Sequence, residues 1–354
     1  MTRNNPALLM EQLLHRVEGI QSDVWRLNME HWEWNSGVCL FGIIKAYEAT
    51  HQEQYLRFLR EWYDRNAPRR KSGSVNTVIS ANVALLLLQE TGDRQYEEVC
   101  EEYVDWCLRT ALKTSNGGFA HVWSEGGLED YKNQLWIDSL FMACLFMLRY
   151  GAYKGNEELL RAAREQFDIH IRCQFDQEAE LFYHGYHCVS GKPLGEFWGR
   201  GNGWAAASLV ELLEHELASQ VDNSPYTQVF RRLMERAYGL RLPDGTLRTL
   251  LVVEDAYSES TATELFAYAA LKGARLGVLD ERFEAWGRET AEALSAQLSQ
   301  NIIPQRASGG TDCQGREGYL QVPYTETLYA YGIPLMLLSE SLLPGGKLQE
   351  TAHV

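Results

Sequence analysis

Apolar residues recur along this chain with the three-to-four spacing of helices, while the alternation expected of strands is weak throughout. The periodicity predicts twelve helices, over residues 7–21, 35–49, 53–66, 75–91, 93–112, 132–150, 156–173, 203–218, 225–239, 260–276, 281–299 and 325–342. Several are paired by one recurrent turn, seen in EATHQEQYLRF, QETGDRQYEEV, RYGAYKGNEELL and ARLGVLDERFEA. A helix ends, often near a Gly, and an acidic or polar residue starts the next. Turns this short make neighbouring helices antiparallel.

The members of a pair differ. The helix after each long loop is apolar nearly all round, as in VISANVALLLLQ, LWIDSLFMACLFML and GWAAASLVELL. Its partner is amphipathic, as in NEELLRAAREQFDIHI. The first kind must be buried and the second faces water on one side. Six such alternations describe an all-α toroid of inner and outer helices, an (α/α)6 ring, and one domain over residues 1–354. An open solenoid would need a more regular period, whereas the buried helices here begin at intervals of roughly 40 to 70 residues.

Composition narrows the partners. The formal net charge is −15, and no basic run exceeds Arg69–Lys71, which argues against nucleic acid. The chain opens without an apolar leader and has no apolar run near the eighteen residues of a membrane span. Seven cysteines, without paired spacing, suit reduced thiols and a cytoplasmic location. His184, His187 and Cys188 lack a partner CxxC or HExxH, so neither metal nor cofactor is expected. No pattern specifies an oligomer.

The long loops precede the buried helices, so they gather at one mouth of the ring. They carry Trp32, Trp34, Asn76, NGGFAHVW, YHGYHCVSGKPLGEFWGRGNGW, EDAYSES and GREGYLQVPYTE. Aromatic faces with Asn, Asp, Arg and His suit a carbohydrate cleft. Within it Asp138, in QLWIDSLFMA beside Trp136, stands out, because an ionised Asp in apolar surroundings is expensive. Desolvation raises its pKa and the helix N-terminus lowers it. If the first prevails, Asp138 is a general acid; otherwise it caps the helix or pairs with a buried cation. His121, His184 and His187 are candidate site residues. Arg200 offers a planar fork to a carboxylate or joins two loops. Trp198 and Trp204 are pocket walls or core, Tyr324 lines the cleft or packs, and Asn202 is a candidate helix cap. Gly201 and Gly203 allow a tight turn and close approach to a ligand. YSEST reads as capping, with Ser258 or Ser260 as the cap.

WGRGNGWAAASLVELLE, NQLWIDSLFMA, YSESTATELFAYAALKGARLG and VPYTETLYAYGIPLMLL resemble the unsaturated rhamnogalacturonyl hydrolases of glycoside hydrolase family 105, related to the family 88 unsaturated glucuronyl hydrolases. The likeness runs from about residue 30 to 342. It implies an (α/α)6 barrel, usually cytoplasmic and metal-free, that removes the terminal 4,5-unsaturated uronic acid left on an oligosaccharide by a lyase, most often from rhamnose. By this resemblance Asp138 protonates the C4=C5 enol ether and then serves as base for the water. His121, and His184 or His187, fall where the family places site histidines. Arg200 lies near substrate, with Trp198 and Trp204 shaping the pocket. Two departures are visible. Ser139 follows the Asp where Gly or Thr is usual, and Asn76 stands where family 88 members carry a second acid.

Two other readings are open. An inverting glycosidase needs a second carboxylate about 6.5–9.5 Å from the first, for which Glu33, Asp255 and Glu259 are candidates. A toroid that binds sugar without catalysis is the other, since fold does not fix function.

Overall fold

A computed structural model of the chain describes residues 4–70, 73–122, 129–220 and 223–345. The inner helices are α2 (Trp34–Thr50), α4 and α5 (Val75–Val78 and Ala81–Thr91), α7 (Leu145–Lys154), α9 (Gly199–Ala218), α11 (Ser260–Arg275) and α14 (Tyr329–Leu342). The outer helices are α1 (Pro6–Glu18), α3 (Glu53–Asn66), α6 (Arg94–Asp105), α8 (Glu157–Gln174), α10 (Ser224–Gly239) and α12 (Glu281–Gln300). A short α13 (Arg316–Gln321) lies in the last long loop. This is the expected (α/α)6 toroid. Among the described residues no helix is long and apolar enough to cross a membrane.

The burial pattern follows the sequence pattern. From Asn35 to Ile44 every residue of α2 is buried, whereas α1 buries the stripe Leu9, Met10, Leu13, Leu14 and Val17. The repeated turn also forms as read. α5 ends on left-handed Gly92 before the cap Asp93, and α7 on left-handed Gly155 before the cap Asn156. Asp280 caps α12, and His51 takes the left-handed position after α2.

The ring closes between its first and last elements. α2 and α14 cross at Gly42 and Gly332, where a Cβ on Gly42 would lie 2.1 Å from the Gly332 carbonyl oxygen. α1 packs outside α14, so the amino-terminal helix is the outer partner of the last inner helix. Arg16 reaches Glu326 at 2.8 Å across this seam.

Several stretches depart from the expected helices, among them 325–342, whose helix begins only at Tyr329. Residues 75–91 divide at Ile79–Ser80 into α4 and α5. The predicted helix 93–112 ends as α6 at Asp105, followed by a wide π turn at Trp106–Thr110. The predicted helix 132–150 opens instead with strand β1 (Gln134–Trp136) and a π turn at Leu140–Cys144. α9 starts at Gly199 rather than 203. Short strands occupy the loops: β2 (Phe175–Asp176), β3 (Leu181–Phe182), β4 (Gly185–His187), β5 (Lys192–Leu194), β6 (Leu247–Arg248) and β7 (Ser258–Glu259). β4 is central to a three-stranded sheet between β1 and β5, both antiparallel to it.

Candidate active site

The small sheet places Asp138 and His184 side by side. β1 pairs with β4 so that Trp136 faces Gly185, and the N–H of Ile137 donates to the carbonyl of His184 at 3.0 Å. One residue further, Asp138 enters the cavity beside His184, with Oδ2 3.3 Å from Nε2. The π turn that follows widens the start of the inner helix at this point. His184 is buried between Trp136 and Trp198, whose ring centroids lie 4.9 and 4.3 Å away. Its Nδ1 lies 2.6 Å from the Tyr319 hydroxyl. His121 stacks on Trp136 at 4.1 Å, almost parallel. On α8, His170 is fully buried, with Nδ1 2.8 Å from the Gln166 carbonyl oxygen.

Burial pushes the Asp138 carboxyl up, but the imidazole of His184 3.3 Å away, with His121 behind, holds it below its ordinary value. Asp138 is therefore an aspartate near neutral pH rather than the acid that desolvation alone would favour. Burial lowers His121 and His170 to about 4, so both rings are neutral near pH 7.

A cavity of about 560 Å3 opens above these groups, and Asp138, His121, Trp136, Trp198, Trp204, Trp34, Asn76 and Arg200 all line it. Trp34 stacks on Tyr329 at 5.2 Å and meets Trp25 at the rim at 5.7 Å. Arg200 is 1% exposed, sandwiched between the rings of Trp198 and Tyr329. Its nitrogens donate to the Ser308 hydroxyl at 2.8 Å and the carbonyls of Ser308 and Gly309 at 3.1 and 2.8 Å. Glu259 lies 3.4 Å away. Arg200 thus joins two loops, fixing the segment whose Gly310, Thr311 and Asp312 complete the cavity wall.

Three expected site residues lie elsewhere. Asn202 is inside the first turn of α9, not before it, and clamps β3: its Oδ1 accepts from the Phe182 N–H at 2.7 Å and its amide donates to the Phe182 carbonyl at 2.9 Å. His187 is at the outer end of β4, with Nδ1 3.0 Å from the Ser190 hydroxyl. The half-exposed Tyr324 donates to the Ser258 carbonyl at 2.6 Å and packs on Tyr257. None of the three lines the cavity. The glycines of GRGNGW serve helix packing. A Cβ at Gly199 would stand 2.3 Å from the Arg248 carbonyl oxygen, and one at Gly201 would stand 2.7 Å from the Trp198 ring. Glu259, rather than a serine, caps α11, accepting from the Ala262 N–H at 2.7 Å.

Of the carboxylates weighed for a second role, only Glu33 lines the cavity, and its side chain also accepts from the Trp34 N–H at the start of α2. Asp255 is exposed and pairs with Arg316 at 2.8 Å. Pattern reading missed Trp25, Met142, Asp312, His170 and Tyr319. Tyr319 is invisible to it because 135 residues separate it from His184. Trp25 carried a signal, an aromatic residue in the long loop before α2.

The Glycosyl Hydrolase Family 88 model matches residues 10–343. The chain is similar to the unsaturated rhamnogalacturonyl hydrolase YesR of Bacillus subtilis, 29% identical over 346 residues that cover 94% of this chain and 98% of that one. It is also similar to the unsaturated 3S-rhamnoglycuronyl hydrolase of Formosa agariphila, 23% identical over 82% of this chain and 76% of the other. A solved structure from Salmonella enterica, described as a possible member of the GH105 family, superposes with a TM-score of 0.89 at 22% identity. That superposition covers 97% of this chain and 94% of the other, and it bears out the toroid.

Proposed function

The chain belongs to Glycosyl Hydrolase Family 88, and we propose that it removes the terminal 4,5-unsaturated uronic acid from lyase-generated oligosaccharides, the whole chain acting as one catalytic domain. Unsaturated galacturonyl-rhamnose is the substrate we favour, as the name of the Bacillus subtilis relative suggests. The observation that carries the reading is Asp138, one carboxylate set against His184 in an aromatic-walled cavity. Such an acid suits an enol ether, whose protonation at carbon needs a single donor and a dry surround.

In this reading Trp136, Trp198 and Trp204 hold the flattened unsaturated ring. The substrate's own carboxylate, entering beside Asp138, and the water it expels both raise the Asp138 pKa, so the carboxyl takes up its proton as the complex forms. Asp138 delivers that proton to C4, and positive charge develops at C5 and the ring oxygen. The carboxylate left behind accepts a proton from water as its oxygen bonds to C5. The resulting hemiketal breaks its bond from C5 to the ring oxygen, and the hemiacetal at C1 then releases the aglycone alcohol. One water is consumed and no other reactant is needed. We place the activity in the cytoplasm, a location supported by seven cysteines that are all free thiols.

The test follows ultraviolet absorbance of the conjugated double bond. Unsaturated disaccharides from rhamnogalacturonan, glycosaminoglycan, ulvan and arabinogalactan are offered beside saturated counterparts. Loss of absorbance on the rhamnogalacturonan product is expected. Turnover of saturated sugars alone would replace this reading with ordinary glycoside hydrolysis.

A further inference from the structure

Behind the cavity wall, Tyr319, His184 and Asp138 form one line of polar atoms. The Tyr319 hydroxyl lies 2.6 Å from His184 Nδ1, and His184 Nε2 lies 3.3 Å from Asp138 Oδ2. Tyr319 and His184 are 0% and 1% exposed, so water does not compete for these contacts. The chain makes room for them at Gly195, which has φ +70 and where a Cβ would stand 2.4 Å from the tyrosine oxygen.

We propose that Tyr319 is a positioning residue for the acid: by donating its hydroxyl hydrogen to Nδ1 it fixes His184 as the Nε2–H tautomer, so that the ring donates to Oδ2 and the catalytic proton resides on Oδ1. The inference rests on the proposed hydrolysis. The direction of donation follows from chemistry. A neutral imidazole has one donor and one acceptor nitrogen, and a carboxylate can only accept. Where the imidazole is neutral and Asp138 is ionised, the nitrogen facing Asp138 carries the hydrogen, which leaves Nδ1 bare for a hydroxyl that also accepts from the Gln314 N–H at 3.5 Å. Without Tyr319 the ring can take the other tautomer. Nε2 then accepts the carboxyl proton and draws it away from the substrate.

The other titratable groups acting on Asp138 are His121, from the loop before β1, and His170, from α8. Cys313 lies on the loop that leads to α13 and also feels the Asp138 charge.

The experiment compares wild type with Tyr319→Phe, which keeps the ring and its packing. In Tyr319→Phe, kcat is expected to fall about tenfold or more with KM little changed. The alkaline limb of the kcat–pH profile moves upward, because the carboxylate has lost a committed donor. In a His184→Ala background, Tyr319→Phe adds no further loss, since it acts through the ring. Nitrogen-15 NMR of His184 reads the tautomer directly: Nε2–H in wild type and a mixture in Tyr319→Phe. An Nδ1–H imidazole in wild type, an unmoved pH limb, or full additivity in the double variant would each overturn the inference. Failure of wild type to consume any unsaturated substrate would instead remove the proposed hydrolysis, while the NMR measurement still decides the tautomer.

Discussion

The two ends of the ring both bury charge, and they treat it in opposite ways. At the far end, the inner helices contribute Lys45, Arg149, Lys272 and Arg275 together with Glu48, Glu211, Glu214 and Glu340. Lys272 reaches Glu214 at 2.7 Å, Arg275 reaches Glu340 at 2.6 Å, and the Tyr268 hydroxyl donates to Glu211. Four cations meet four anions, and the plug is neutral. At the open mouth, Asp138 faces a histidine instead of a permanent cation, Arg200 is spent on carbonyls, and the buried Trp198 indole N–H finds no acceptor among the described residues. Charges paired with one another hold a fold together, whereas a buried polar group facing an open cavity is available to a ligand.

The sharpest way to break this contrast is Asp138→Asn. Turnover is expected to fall about 10²–10⁴-fold, the scale of a lost general acid, with the thermal midpoint essentially kept. A variant that keeps its rate would remove Asp138 from the chemistry. Lys272→Met should do the reverse. Removing one partner of a buried pair costs about 3–5 kcal/mol, so the thermal midpoint drops while kcat per folded molecule stays. A loss of kcat without a loss of stability would show that the plug is coupled to the mouth.

These substitutions also mark what the chain alone made legible. Helix pairing and the two rings were readable because burial on all sides and on one side leave different periodicities, and Asp138 stood out as a carboxylate in an apolar stretch. The sheet of β1, β4 and β5 was not, since strands of three residues have no measurable alternation. The distance between Asp138 and His184 depends on that sheet, so the pair emerged only in three dimensions. GRGNGW looked like a flexible loop because glycine serves turns and close packing equally well. Its three glycines are helical, and Asn202 was drawn to β3 by the unpaired backbone of Phe182.

Acid should drive the two ends apart in a measurable way. Glu48 is held at about 2, with Arg149 and Lys45 overcoming burial, against an ordinary 4.5. Its stabilising contribution is complete above the ordinary value and is lost as pH falls toward 2. His121, buried neutral at about 4 against 6.5, acts in the same direction: its contribution is whole above 6.5 and declines on acidification. Under the proposed mechanism catalysis has the opposite sign, because it uses the protonated form of Asp138. Thermal midpoints should therefore fall below about pH 5, while kcat/KM climbs over the same range until the protein unfolds. Coincident trends in melts and rates would contradict the division of labour. Smallest in effect is Trp25→Ala at the rim, where the ring is 45% exposed. KM should rise a few-fold, roughly 1 kcal/mol of stacking, with kcat retained. A change in kcat instead would place Trp25 against the reacting ring.

The seam at Gly42 and Gly332 has a consequence for synthesis. α2 precedes by about 280 residues the helix that covers its glycine face, the last helix among the described residues. Until α14 arrives, α1 also lacks the surface on which its apolar stripe rests. A nascent chain therefore carries an unsealed edge through nearly all of its translation, exposed to chaperones and to self-association. Closure then waits on contacts between the two ends of the chain, the slowest kind to form. Truncation just before α14 is expected to yield aggregates rather than a smaller ring.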